Sequence, residues 1–314
     1  MHLDQVGTPE DPGPYWVSSL PWTIDKATLV DNRAAVLGVM NSTRRKLERD
    51  PMWKEIYETQ LKDLIKNGFA KEVSEEELKG WKMKGGKVYY ISHQVALNPA
   101  SKSTPIRVVF NSSQMYKGYS LNSSWELGPD VLNNLHGVLL RFRKDYCGGQ
   151  GDIRKMYYMI RILLEEQMMQ LFMWQFPEEE RMKTFCMTRL VMGNKPSGSI
   201  SLVSLRQTSD LEDNAERYPA AHEAINLDFY VYNIFRTAPD MDTLKKNIDE
   251  IEFVSAMGGF FYKDWIIGGQ DLPDQLIGIQ LPHAIEEIEE ICPITKTNQC
   301  MSANKKSQPL DIGI

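Results

Sequence analysis

Apolar residues recur along this chain in two rhythms, and the switches between them mark out its elements. From Asn32 to Asn67 the rhythm is helical. Val36, Met40 and Leu47 fall at spacings of four and seven; after Asp50-Pro51 come Trp53, Ile56, Tyr57, Leu61, Leu64 and Ile65, mostly three or four apart. Asp50 as N-cap, Pro51 at the first helical position and Gly68 past the end predict two surface helices, each with one buried stripe. Residues 74–86 read as a short acidic helix closed by Gly85-Gly86. Val88-Tyr89-Tyr90-Ile91, Val95-Ala96-Leu97 and Ile106-Arg107-Val108-Val109-Phe110 have the texture of strands, with Arg107 projecting from one face.

Pro129 is expected to open a helix carrying Val131, Leu132, Leu135, Val138, Leu139 and Phe142, rich in buried positions. A Gly-rich turn then leads into a short strand with Asp152, and 169–176 and 185–192 read as further strands. Pro196-Ser197-Gly198 precedes a helix through Leu202, Leu205 and Leu211. Leu227 to Phe235 reads as a β-hairpin with its tip at the polar break Tyr232-Asn233. Leu244, Ile248, Ile251 and Val254 keep helical spacing up to Gly258-Gly259, and 260–267 returns as strand. Nothing repeats internally. This order predicts an α+β fold with an antiparallel sheet, not the alternation of a doubly wound sheet. Residues 1–30 read as an extended lead-in whose aromatics dock on a body at 31–268, and 269–314 as an acidic and polar tail.

Composition narrows the class. With 314 residues, 42% hydrophobic and 25% charged, the chain can bury a sizeable core. A net charge of −6 counts mildly against polynucleotide binding, although a local basic groove can sit on an acidic body. Cys147, Cys186, Cys292 and Cys300 are scattered and the histidines isolated, so a structural zinc site is not expected. No signal peptide or apolar run of membrane-spanning length is read, so the expectation is an intracellular, cytoplasmic or nuclear protein with no membrane partner.

Five segments in order carry more specific information. They are Arg107-Val108-Val109-Phe110 with Gly118, Ser120-Leu121-Asn122 and Gly128-Pro129-Asp130; Gly137 to Arg143; Gly151-Asp152-Ile153 with Lys155-Met156-Tyr157; Met187-Thr188-Arg189 through Pro196-Ser197-Gly198; and Gly258-Gly259-Phe260 with Lys263 and Trp265. Together they resemble the reverse transcriptase domain of Bel/Pao-type LTR retrotransposons, from about Ala34 to Trp265, as a degenerate copy. The resemblance implies right-hand polymerase fingers and palm, an antiparallel palm sheet with packed helices, and a truncated thumb region in 269–314. It also implies an RNA or DNA template-primer and deoxynucleoside triphosphates as partners, with Mg²⁺ as cofactor.

Two-metal nucleotidyl transfer needs cations about 3.5–4 Å apart. In the family three carboxylates hold them. Asp152 matches the first and is the remaining catalytic and metal residue by resemblance. The other two belong at a Tyr-x-Asp-Asp hairpin, which here reads Tyr230-Val231-Tyr232-Asn233, so Tyr232 and Asn233 are the substituted positions. Asp228 lies four residues from Tyr232, roughly 13 Å along a strand, outside ligand range. By resemblance Arg107 would contact a triphosphate, Tyr157 would stack under the sugar, Pro196 and Ser197 would open the helix supporting the templating pair, and Lys263 would lie near the pyrophosphate. Asn111 stands where the family usually has Asp.

The expected function is therefore a retrotransposon-derived, reverse transcriptase-like domain with its chemistry lost, which leaves open whether the chain is an enzyme. The alternative is a non-catalytic nucleic-acid- or protein-binding module on the same scaffold. An active polymerase using Asn233 and substrate oxygens is a third reading, weakened by the missing charge.

Overall fold

A computed structural model describes residues 1–4, 7–8, 11–97, 105–269 and 277–279. The glutamates from Glu286 to Glu290, Cys292, Cys300 and the rest of the tail lie outside the described residues. The chain divides into two compact units, Met1–Val131 with Lys155–Leu205, and Leu132–Arg154 with Arg206–Ile314.

In the first unit the expected helices form at Arg33–Leu47 and Pro51–Lys66. The Asp50 side chain accepts from the Trp53 N–H at 3.1 Å, so the N-cap closes as the sequence indicates. Glu75–Met83 starts with a capping box between Ser74 and Glu77. Two antiparallel assemblies pack on these helices. One is the hairpin Ser92–Leu97 with Ile106–Asn111; the other places Lys183–Met187 between Leu171–Trp174 and Ala70–Glu72. Residues 88–91 are buried but form no ladder of their own beyond a bridge from Tyr90 to Leu171, so the expected strand starts later, at Ser92.

The core of this unit is aromatic. Phe110, Phe172, Trp174 and Tyr57 surround His93, which is fully buried. One His93 nitrogen, Nε2, lies 3.1 Å from the Met173 carbonyl and therefore carries the proton; the other, Nδ1, accepts from the Tyr57 hydroxyl at 2.6 Å. The lead-in also docks here. Tyr15–Ser18 pairs with His2–Asp4 and with Ile160–Ile162, while Trp22 packs edge-on against Trp125 and donates to Glu166 at 2.7 Å.

The second unit is built on a five-stranded antiparallel sheet in the spatial order Phe229–Tyr230, Asn233–Ala238, Cys147–Asp152, Trp265–Gly268, Ile277–Ile279. The helix Met241–Ala256 buries Leu244, Ile248, Ile251 and Val254, matching the spacing in the sequence. Three local expectations change. Gly148 and Gly149 lie inside a strand and not in a turn before it. A Cβ at Gly151 would sit 2.8 Å from the Trp265 ring, which leaves no room for one, and a Cβ at Gly148 would sit 3.1 Å from Phe142, which crowds it on the opposite face. The helix expected from Pro129 begins at Leu135, capped by Asn134, and of its apolar residues only Val138 is fully buried. The strand expected over 260–267 is confined to Trp265–Gly268, with Tyr262 bridging to Ile153.

Candidate functional site

The centre of interest lies where the Asp152 strand meets the hairpin. Phe229 pairs with Ile234 and Tyr230 with Asn233, so the loop is Val231-Tyr232 and Asn233 is already a strand residue. The tip is thus one residue earlier than the polar pattern suggests. Two-residue hairpin loops need positive φ to match strand twist. Val231 supplies it, at φ 59°, although a β-branched residue is an outlier there.

Asn233 stands directly opposite Asp152 in the ladder. Cross-strand partners share a face with Cβ atoms about 4.5–5.5 Å apart. The register is held at the next step too, where the Ile153 N–H donates to the Tyr232 carbonyl at 3.0 Å. Asn233 Oδ1 faces Gln150 Nε2 at 3.4 Å, on the same face, while Tyr232 is 42% exposed. On the other side of Asp152, Lys263 binds twice: its backbone N–H donates to the Asp152 carbonyl at 2.8 Å and its ammonium lies 2.7 Å from Asp152 Oδ1.

Asp228 is engaged elsewhere. Its carboxylate is buried and accepts from Arg141 Nε at 2.7 Å and Arg236 Nη1 at 2.9 Å, and Arg236 also reaches Glu223 at 2.8 Å. It anchors the base of the hairpin strand to two neighbouring elements.

No protein-family model matches the chain, and no curated protein matches it in sequence. Solved structures do match. Prototype foamy virus protease-reverse transcriptase aligns over 72% of this chain and 26% of its own, at 16% identity and a TM-score of 0.50. Its selenomethionine-labelled CSH mutant aligns over 73% and 26%, at 16% identity and a TM-score of 0.52. The fold is that of a reverse transcriptase polymerase domain. This chain spans about a quarter of the length of those proteins, 26% in each case.

In this reverse transcriptase fold the five-stranded sheet is the palm sheet. The residues at its Asp152 end do not fit a pair of Mg²⁺ ions. Mg²⁺ takes near-octahedral oxygen ligation at about 2.0–2.1 Å, mostly from carboxylates and phosphates. Here Asp152 faces an amide, not an acid, and its own charge is answered by an ammonium. Among the described residues no three His, Cys, Asp or Glu side chains converge as metal ligands.

The palm unit brings Asp152, Tyr232, Asn233 and Lys263 together. Arg107, Tyr157, Pro196 and Ser197 belong to the other unit. Arg107 is exposed on Ile106–Asn111, opposite Ala96. Tyr157 is half-buried in the 3₁₀ turn Met156–Met159, entered through Lys155 at φ 50°. Beside it Tyr158 stacks on Phe69 with centroids 5.0 Å apart. Pro196 and Ser197 are buried at the start of Ser197–Ser209; the Pro196 carbonyl accepts from the Ile200 N–H, and Ser197 Oγ donates to the Val191 carbonyl at 2.9 Å. The Ser197 hydroxyl is thus engaged in fixing its own loop. The Lys263–Asp152 pair and the Gln150 contact had no local signal in the sequence, because each arises from strand pairing between distant segments.

Proposed function

We propose that this chain is a retrotransposon-derived reverse transcriptase-like domain of the Bel/Pao kind that no longer carries out nucleotidyl transfer. The observation that supports it most is the ladder pair Asn233–Asp152 with Lys263 on the remaining carboxylate. Two Mg²⁺ ions bring four positive charges, and one carboxylate already paired with an ammonium cannot balance them. Tyr232 adds a bulky neutral phenol where the family has an acid. In this reading the ancestral partners were a template-primer and deoxynucleoside triphosphates, and the setting is intracellular, cytoplasmic or nuclear.

Mg²⁺-dependent primer extension on an RNA template tests it, using this protein beside a Tyr232→Asp/Asn233→Asp variant. The expected outcome is no extension by the unmodified chain. Extension by the unmodified chain would falsify the proposal. Extension by the variant alone would locate the whole defect at the hairpin; silence from both, in folded protein, would extend the loss beyond it.

A second reading, retention of nucleic-acid binding without chemistry, is favoured by the exposed guanidinium of Arg107 on its strand. It predicts RNA or DNA affinity that falls steeply with salt and drops on Arg107→Ala.

A further inference from the structure

A cleft of about 570 Å³ opens beside the helix Glu75–Met83 in the first unit. Small-ligand sites occupy about 300–1,000 Å³. One wall is apolar. Leu78 and Tyr90 reach the cleft from a buried cluster that includes Val36, Val88 and Leu171, and Met83 stands beside it 79% exposed. The rim is cationic. Arg33, Lys79 and Lys82 face a single lining acid, Glu75, which lies 3.4 Å from Arg33. Lys82 is answered by Asp31 at 2.6 Å, whereas Lys79 has no ion pair among the described residues, so the rim keeps one uncompensated positive charge.

Tyr90 is the less ordinary part of this lining. It is 1% exposed, and its hydroxyl is buried with no hydrogen-bond partner among the described residues. Its backbone is pinned by the Asn32 side chain, which donates to the Tyr90 carbonyl at 2.8 Å and accepts from the Tyr90 N–H at 2.7 Å. A buried hydroxyl without a partner costs stability that a phenylalanine would not, so its presence needs a reason. Arg33 comes near the hydroxyl without hydrogen-bond geometry, and Asp31 and Glu75 also act on it, which sets it beneath the rim where Arg33 meets Glu75. Burial pushes the phenol up to about 12, so it keeps its proton and has a hydrogen bond to donate.

We propose that this cleft binds a free amphipathic carboxylate, a single anionic head on an aliphatic chain. The head takes the place of Glu75 beside Arg33, accepts the Tyr90 O–H and is attracted by Lys79, while the chain lies along Leu78 and Met83. Charge and burial together argue for this class of ligand. A neutral apolar molecule would leave the phenol unpaired and gain nothing from the cations, and a small inorganic anion would leave the apolar wall in water. Binding there is independent of whether nucleotidyl transfer survives.

Titration of the full chain, with isotope-labelled methionine methyls followed by NMR, tests it with octanoate, octanol and acetate as probes. The Met83 methyl reports on the cleft, and the exposed Met115, which does not line it, is the reference. Octanoate is expected to shift Met83 and to bind at least about tenfold tighter than octanol or acetate, as a charge-assisted hydrogen bond added to apolar contact would give. Equal affinity for octanoate and either control, or a shift no larger at Met83 than at Met115, overturns the proposal. Tyr90→Phe removes a hydroxyl that has no partner, so it is expected to melt no lower than the unmodified protein while weakening octanoate at least about fivefold. Unchanged affinity, or a lower melting temperature, overturns it. Glu75→Gln removes the competing carboxylate and is expected to tighten octanoate by about threefold, the scale of an exposed ion pair. Equal or weaker affinity in that variant also overturns the proposal.

Discussion

Lys263 grips Asp152 twice, through a backbone hydrogen bond of 2.8 Å and an ammonium–carboxylate contact of 2.7 Å. The two parts of that grip differ in worth. The backbone bond belongs to the sheet, whereas the side chains are 30% and 55% exposed and their attraction is largely screened by water. Lys263→Met is therefore expected to change unfolding free energy by less than about 1 kcal/mol. Urea denaturation measures this, and a larger loss would show the ammonium to be structurally required.

The reverse holds at Asp228, whose side chain is 5% exposed between Arg141 and Arg236. Asp228→Ala leaves the largely buried Arg236 guanidinium with only the exposed Glu223 carboxylate as counter-charge and is expected to cost about 2–4 kcal/mol, less than removal of a sole partner. A double-mutant cycle with Arg236→Met should recover part of that loss, because the guanidinium that has lost its buried partner disappears with it. Simple additivity in the cycle would contradict the coupling.

His93 should make stability depend on pH. Burial lowers its pKa from 6.5 to about 4, so the folded protein keeps the ring neutral while the unfolded chain takes up a proton. Between those values the unfolded state binds more protons, and stability falls as pH drops from about 6.5 toward 4. A shift of that size is worth about 3 kcal/mol when fully expressed. Urea midpoints at pH 7.5 and 4.5, compared with a His93→Phe/Tyr57→Phe variant, isolate it from the carboxylates. An identical pH slope in both proteins would rule out this origin.

At the hairpin tip Val231 holds φ 59°. The left-handed region costs an L-residue about 1–2 kcal/mol, and glycine adopts it freely. Val231→Gly is expected to stabilise the domain by about 1 kcal/mol or less, after the added flexibility of the unfolded chain is subtracted. Destabilisation by thermal melting would mean that the valine side chain contributes packing that outweighs the strain.

Much of this protein was legible in its residues. Helical spacing placed Val36, Met40, Leu61, Leu244 and Ile251 in the core, and Asp50-Pro51 marked a helix start, because capping and periodicity are local properties. That Tyr232 and Asn233 carry a phenol and an amide is likewise plain from the chain. Register could not. That Asn233 faces Asp152, that Val231 and not Asn233 forms the tip, and that Lys263 lands on Asp152 follow from ladders joining distant segments. A one-residue slip would have turned every one of those side chains to the other face. Gly148 and Gly149 resembled a turn because glycine signals a missing side chain, not its cause. Only the packed sheet shows Phe142 and Trp265 filling the space. The leucines of Leu135–Phe142 promised burial by their spacing, but periodicity fixes a helix's sides and not which of them the rest of the chain covers.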